Sequence, residues 1–132
     1  MNVNESMRAK RASKPAESNR IDIGKIREML FHDDSYVAAF AAASIESFTE
    51  FAENFSHCLL EKDIKGVQKA VHKIKPVASM LDLEEIISEC KTARQLLEQN
   101  RPPNELRQIV RRVDHLCQMV IREFEMILKM SA

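Results

Sequence analysis

The sequence has few of the residues that a protein built from β-sheets needs. Only two glycines and four prolines occur among 132 residues, and tryptophan is absent. A sheet protein needs turn residues between many short strands, whereas this chain is 45% hydrophobic and 30% charged. Its length suits one domain with its own core but not two. We therefore expect a single all-α domain.

Excess charge and long apolar runs are also missing. Twenty basic residues balance twenty acidic ones, so no global field draws the chain to nucleic acid. No apolar run approaches the roughly 20 residues that cross a bilayer, and the N-terminus lacks a signal-peptide pattern. The three cysteines, Cys58, Cys90 and Cys117, are odd in number and widely spaced, which disfavours a disulfide framework. We expect a soluble cytoplasmic protein that binds neither nucleic acid nor membrane.

The first twenty residues differ from the rest. They are polar and net basic, and only Val3 and Met7 have large apolar side chains. Such a segment cannot bury enough surface to offset its ordering entropy. The sequence therefore predicts a disordered tail over 1–20 and a folded domain over 21–132.

Apolar periodicity predicts the helices of that domain. A short helix is expected from Ile21 to Leu30, followed by long helices over about 35–62 and 64–81. A further helix precedes the break at Asn100 to Pro103, and the last runs from Asn104 to the C-terminus. The expected caps are Asp34, Asp63, and Asp82 with Glu85 as its capping-box partner. The predicted fold is an up-down antiparallel four-helix bundle with a short extra N-terminal helix.

The helix over 64–81 carries a histidine on its polar face. With 100° per residue, seven apolar residues lie in an arc of about 120° that faces the core: Val67, Ala70, Val71, Ile74, Val77, Ala78 and Leu81. The residues within about 60° of His72 are Lys65, Gln68, Lys69, Lys75, Pro76 and Ser79. His72 is therefore expected to be exposed. By itself, a histidine beside lysines is most often only a solvated helix face.

A phosphoryl carrier is the sharper interpretation of this face. A solvated imidazole is largely uncharged at neutral pH, and one ring nitrogen keeps a lone pair that can attack phosphorus. Lys75 follows one turn later and can place its ammonium beside a phosphoryl group on His72. The nearby Lys65, Lys69 and Lys73 are expected to add a positive field.

The run from Asp63 to Lys75 resembles the phosphorylated helix of histidine phosphotransfer (HPt) domains. In that family an alanine-histidine-x-leucine-lysine-glycine core follows a capping aspartate, and Val71, His72, Ile74 and Lys75 fill four of those places. The order of the other helices also fits, over about residues 21–130. Pro76 replaces the glycine after the lysine, and Asp82 replaces the glycine at the helix end. We expect Pro76 to kink the helix or open a turn.

The resemblance implies a bacterial phosphorelay component that is a carrier rather than a stand-alone enzyme. His72 would accept a phosphoryl group from the aspartate of a response-regulator receiver domain and pass it to another receiver, while Lys75 stabilises its charge. A hybrid sensor histidine kinase is a further expected partner. The chain would have no ATP site and no cofactor of its own, Mg²⁺ being bound by the receiver, and would act as a monomer. The first two long helices would form the docking surface, which includes Lys65, Gln68, Lys69, Pro76 and Ser79.

Other interpretations remain. An HPt-like module in which Pro76 has ended transfer would still dock receivers or kinases. The dimerisation helices of a sensor kinase also place a proline after a histidine, but Lys73 occupies the position where they have an acidic residue. Metal binding by His57 with Cys58, or by His115 with Cys117, is disfavoured because neighbours at these spacings do not share a helix face.

Overall fold

The fold is described from a computed structural model, which defines the backbone of residues 21–131 and the side chains of residues 21–130. This part of the chain contains five helices and no strand: α1 (Ile23–Met29), α2 (Asp34–Leu60), α3 (Ile64–Met80), α4 (Glu84–Glu98) and α5 (Pro103–Ser131). The all-helical prediction is confirmed. The predicted disordered tail at 1–20 lies outside the described residues.

Aspartates begin three of the helices. The carboxylates of Asp22, Asp33 and Asp63 accept hydrogen bonds from backbone N–H groups three residues on, at 3.0, 3.1 and 3.0 Å. Each bond satisfies one of the amides that a helix start leaves without a partner. The Asp63 cap is as predicted. The Asp34 cap is wrong, because Asp33 has the extended backbone of a cap and Asp34 is already helical.

The helices α2, α3 and α4 all end in the same way. Lys62, Asp82 and Asn100 have left-handed backbones with φ of 57°, 57° and 53°. After each, the next N–H donates to a carbonyl five residues earlier, as from Asp63 to Cys58 at 2.8 Å. This Schellman arrangement satisfies the last carbonyls of the helix and turns the chain sharply.

Asp82 is therefore not the cap that the sequence predicts. It occupies the left-handed position after α3, which glycine takes in most helix ends of this kind, and α4 begins after Leu83 without a capping side chain. Asp82 is thus not the N-cap residue of the predicted capping box with Glu85. The Asp82 carboxylate instead pairs with Lys25 at 2.9 Å. Aspartate tolerates this backbone better than most residues because its short polar side chain can bond locally.

The core lies between the four long helices. Helix α2 packs against α3 and α5, and α4 packs against the same two helices. Phe48, Phe55 and Phe124 are fully buried, and the ring of Phe40 meets that of Phe124 edge-on at 5.9 Å. The four phenylalanines of α2 thus lie in this core or against it. Short α1 packs against this core through buried Ile26, and its Lys25 also forms an exposed ion pair with Asp82.

Within the described range, no helix is both long enough and apolar enough to cross a membrane.

Candidate functional site

Helix α3 is positioned by one buried face. Val67, Ala70, Ile74 and Ala78 are buried, while Val71 and Val77 are half-buried. This is the arc that the helical periodicity predicts. Burying a single valine or isoleucine of this kind contributes roughly 1.5–3 kcal/mol, so the rotation of α3 about its axis is well fixed.

The opposite face carries the predicted site. The imidazole of His72 is exposed, as are all six of the polar-face neighbours named from the sequence, namely Lys65, Gln68, Lys69, Lys75, Pro76 and Ser79. His72 lies near the middle of α3, eight residues from each end. It therefore presents an accessible nucleophile on a helix that is anchored along its whole length.

A groove of about 750 Å³ opens between α3 and α4, and His72 lies on its α3 side. Its floor is apolar and includes Val71, Ile74, Ile87 and Cys90. The charged side chains that line it are all basic: Lys65, Lys69, Lys75, Lys91 and Arg94. Among the described residues that line the groove there is no carboxylate. The groove is thus a positively rimmed, apolar-floored surface beside the imidazole.

The two α4 cations were not found from the sequence. Lys91 and Arg94 join the α3 lysines only because α4 packs alongside α3, and no periodicity within one helix predicts that pairing. The Arg94 guanidinium also contacts the Glu98 carboxylate at 3.2 Å on the same helix, and both side chains are more than half exposed. Such a surface pair is worth little. Lys91 is therefore the clearer addition to the site.

The other side of α3 is closed. Its contact with α2 forms a small crevice of about 40 Å³, which Glu50 and Lys73 line. The Lys73 ammonium meets the Glu50 carboxylate at 3.2 Å. Lys73 therefore lies on the α2 side, outside the groove, and the carboxylate beside it reduces the positive field that was expected from it near His72.

Close backbone approach explains the tightness of this side. A Cβ added to Gly66 would lie 2.5 Å from the sulfur of Cys58 on α2 and 2.5 Å from an oxygen of the Asp63 cap. Only glycine lets α3 begin so near to α2 while the cap forms.

Pro76 lies inside α3 without interrupting it. The helix is continuous from Ile64 to Met80, so the expected opened turn does not form. Proline has no N–H, and the carbonyl of His72, four residues earlier, lacks its usual helical donor. The exposed ring of Pro76 lies on the polar face with the imidazole.

Competing chemistry near the site is limited. Burial raises the pKa of the Cys90 thiol in the groove floor to about 12, with a smaller contribution from Glu89. Burial likewise raises the pKa of Cys117 to about 12. Thiols that stay protonated at neutral pH are poor nucleophiles and poor metal ligands. Within residues 21–131, no group of three or more His, Cys, Asp or Glu side chains is arranged to hold a metal ion.

Comparisons of the chain with protein-family models, with curated proteins and with solved structures found no match. The chemistry of the α3 face therefore has to carry any functional conclusion.

Proposed function

We propose that this chain is an HPt domain that accepts a phosphoryl group on His72 from the phospho-aspartate of a receiver domain and passes it to another receiver. The observation that carries the proposal is the exposed imidazole at the middle of α3, on a groove whose charged lining is entirely basic. An anionic phosphoryl group is favoured there, and a nucleophile at the middle of a fixed helix is accessible to a second protein.

The chemistry uses few groups. A neutral ring nitrogen of His72 attacks phosphorus in line, an N–P bond forms as the acyl O–P bond breaks, and the aspartate carboxylate leaves. Return transfer reverses these steps with a second carboxylate as nucleophile. Lys75 lies one turn along α3 and offsets charge on the equatorial oxygens. Mg²⁺ belongs to the receiver in this scheme, and this chain supplies no ATP site.

The same proposal includes an up-down antiparallel arrangement of α2 to α5. Two contacts support it. The Phe40–Phe124 ring contact brings the start of α2 to the end of α5. The Lys62 ammonium lies 3.4 Å from the Asn100 side-chain oxygen, which brings together the ends of α2 and α4. In this proposal the chain is a monomeric cytoplasmic component of a bacterial phosphorelay, and a hybrid sensor histidine kinase is one of its partners.

The test is transfer from a panel of receiver domains phosphorylated on aspartate. We expect at least one to label the chain with phosphate that is lost in acid and kept in alkali, as a phosphoramidate is. His72→Gln should abolish the label. The matched control is His115→Gln, since His115 is an exposed histidine on α5, and that variant should be labelled like the wild type. Labelling that survives His72→Gln would refute the site.

A second candidate is a docking module that binds receivers without accepting phosphate. Pro76 favours it, because its rigid ring occupies the exposed face only one turn from His72. This candidate predicts that a receiver binds the wild type but leaves no label, and that Pro76→Gly restores labelling on His72. If the wild type is labelled, Pro76→Gly should change the transfer rate without changing which residue is labelled.

A further inference from the structure

We infer that the partner docks along the α3–α4 groove by an amphipathic helix that carries acidic side chains, rather than across α2 and α3. This inference rests on the proposed function, because the partner is the protein that exchanges phosphate with His72. It assigns a recognition role to Lys91 on α4, a residue outside the phosphorylated helix.

The dimensions of the groove suit a helix. Its α3 lining extends from Ile64 to Ala78, and at 1.5 Å per residue this is about 21 Å, or four helical turns. Half-buried Val71 and Ile87 offer apolar contact along the floor, and Ile64, which is 42% exposed, lies at one end. A helix laid in such a groove covers apolar surface that α3 and α4 leave open.

The charges of the groove select an acidic occupant. Lys65, Lys69 and Lys75 lie on the α3 side, and Lys91 and Arg94 lie on the α4 side, with no carboxylate among the described lining residues. A docked helix with carboxylates along both flanks would pair with both rims. Rim charges of this kind mainly raise the association rate and fix the register of binding.

Two alternative occupants fit less well. Residues 1–20 of this chain contain five basic residues and two acidic ones, so their charge repels the basic rim. The crevice on the α2 side of α3 is much smaller than the groove, and there the Lys73 ammonium lies 3.2 Å from the Glu50 carboxylate. An acidic helix therefore has a smaller cavity to enter on that side, and the cation there already has a carboxylate beside it.

The geometry also explains how docking would serve transfer. Taking 100° per residue, Lys75 lies about 60° from His72 toward α4, and Val71 lies about 100° away on that side. A helix in the groove would therefore lie beside the imidazole without covering it. The reacting aspartate would approach from above while the groove holds its domain.

The experiment uses the receiver that labels His72, in its unphosphorylated form, titrated into the ¹⁵N-labelled full chain. We expect the largest amide shifts at residues of the groove, including Val71, Ile87 and Lys91. Lys91→Glu should raise the Kd about tenfold and raise the KM for transfer similarly, because one favourable rim charge becomes repulsive. The control is Arg111→Glu on α5, an exposed cation outside the groove, which should change Kd less than twofold.

Each outcome separates the two proposals. Shifts confined to α2 and α3, with normal transfer by Lys91→Glu, would overturn the groove and leave the proposed function intact. Shifts in the groove only with anionic phospholipid vesicles, and not with the receiver, would also overturn it. If no receiver labels His72, the proposed function itself fails and this inference fails with it. Lys91→Glu faces no acidic neighbour one turn away on α4, so unchanged helical circular dichroism should accompany its weaker binding.

Discussion

The two sides of helix α3 are built differently. On the α2 side, Gly66 lies against Cys58, and Lys73 is paired with Glu50 across a small crevice. On the α4 side, a groove of about 750 Å³ stays open and its charged lining is only basic. The closed side fixes the helix in place. The open side leaves apolar and charged groups beside His72 available to another molecule.

This difference shows that the exposure of a charged side chain does not by itself indicate a functional role. Lys73 and Lys75 are both exposed lysines two residues apart, and the helical period places only Lys75 within about 60° of His72 without showing what lies opposite to either of them. The packing does separate them, since Lys73 faces a carboxylate of α2 and Lys75 lines the groove. A surface charge acquires a role from what lies opposite to it.

The largest expected effect tests the anchoring of α3. Ile74 is buried beneath both sides, and Ile74→Ala should lower the free energy of unfolding by about 2–5 kcal/mol through lost burial and a cavity. Urea denaturation measures this. Lys75→Ala, one residue away but exposed, should change the same quantity by less than about 0.5 kcal/mol. Equal losses in the two variants would show that the rotation of α3 is misassigned.

A smaller effect is expected at the closed side. Gly66→Val should lower the free energy of unfolding by about 1–3 kcal/mol, because its side chain meets Cys58 and the Asp63 cap. Gln68→Val places the same residue on the exposed face of α3 and should cost only about 0.5 kcal/mol of helix propensity.

A double-mutant cycle assigns the Gly66 effect to the close contact. Cys58→Ala removes the sulfur, so it should recover part of the stability that Gly66→Val loses. Strictly additive losses would mean that Cys58 is not what makes this side tight.

The smallest free-energy change concerns the two lysines. Lys75→Ala should slow transfer to His72 about tenfold, which corresponds to about 1.4 kcal/mol of lost transition-state stabilisation. Lys73→Ala should slow it less than twofold, because that ammonium is engaged by Glu50. Rapid-quench measurement of phosphate on the chain gives both rates. If Lys73→Ala is the slower variant, the open and closed sides have been assigned the wrong way round.

Much of this fold could be predicted from local pattern. The 3.6-residue period placed the buried face of α3, and an aspartate before an apolar run identified the Asp63 cap. The predicted cap position at Asp34 is one residue too late. Two adjacent aspartates offer the same capping chemistry, and only the backbone of Asp33 is extended. The prediction that Asp82 caps α4 is wrong, because an aspartate between two helices suits either the end of one or the start of the next, and here it ends α3.

The groove could not be predicted in the same way. Lys91 and Arg94 reach the site through the packing of α4 on α3, and the Lys73–Glu50 pair needs the packing of α2 on α3. Periodicity fixes which face of a helix is buried, but it does not fix which neighbour that face meets or in what register. The exposure of His72 follows from the pattern of α3 alone, whereas its surroundings depend on how α2 and α4 pack against α3.

The left-handed residues at the helix ends have a practical consequence. Lys62, Asp82 and Asn100 hold a backbone that glycine adopts without strain, and neither glycine whose backbone is described has a positive φ. Lys62→Gly would relieve about 1 kcal/mol of that strain at a residue that does not line the groove. Glycine substitutions at these turns should therefore raise the free energy of unfolding of the native chain. A chain that carries such substitutions would stay folded when a destabilising change is made in the groove. The effect of that change on partner binding could then be measured apart from its effect on stability.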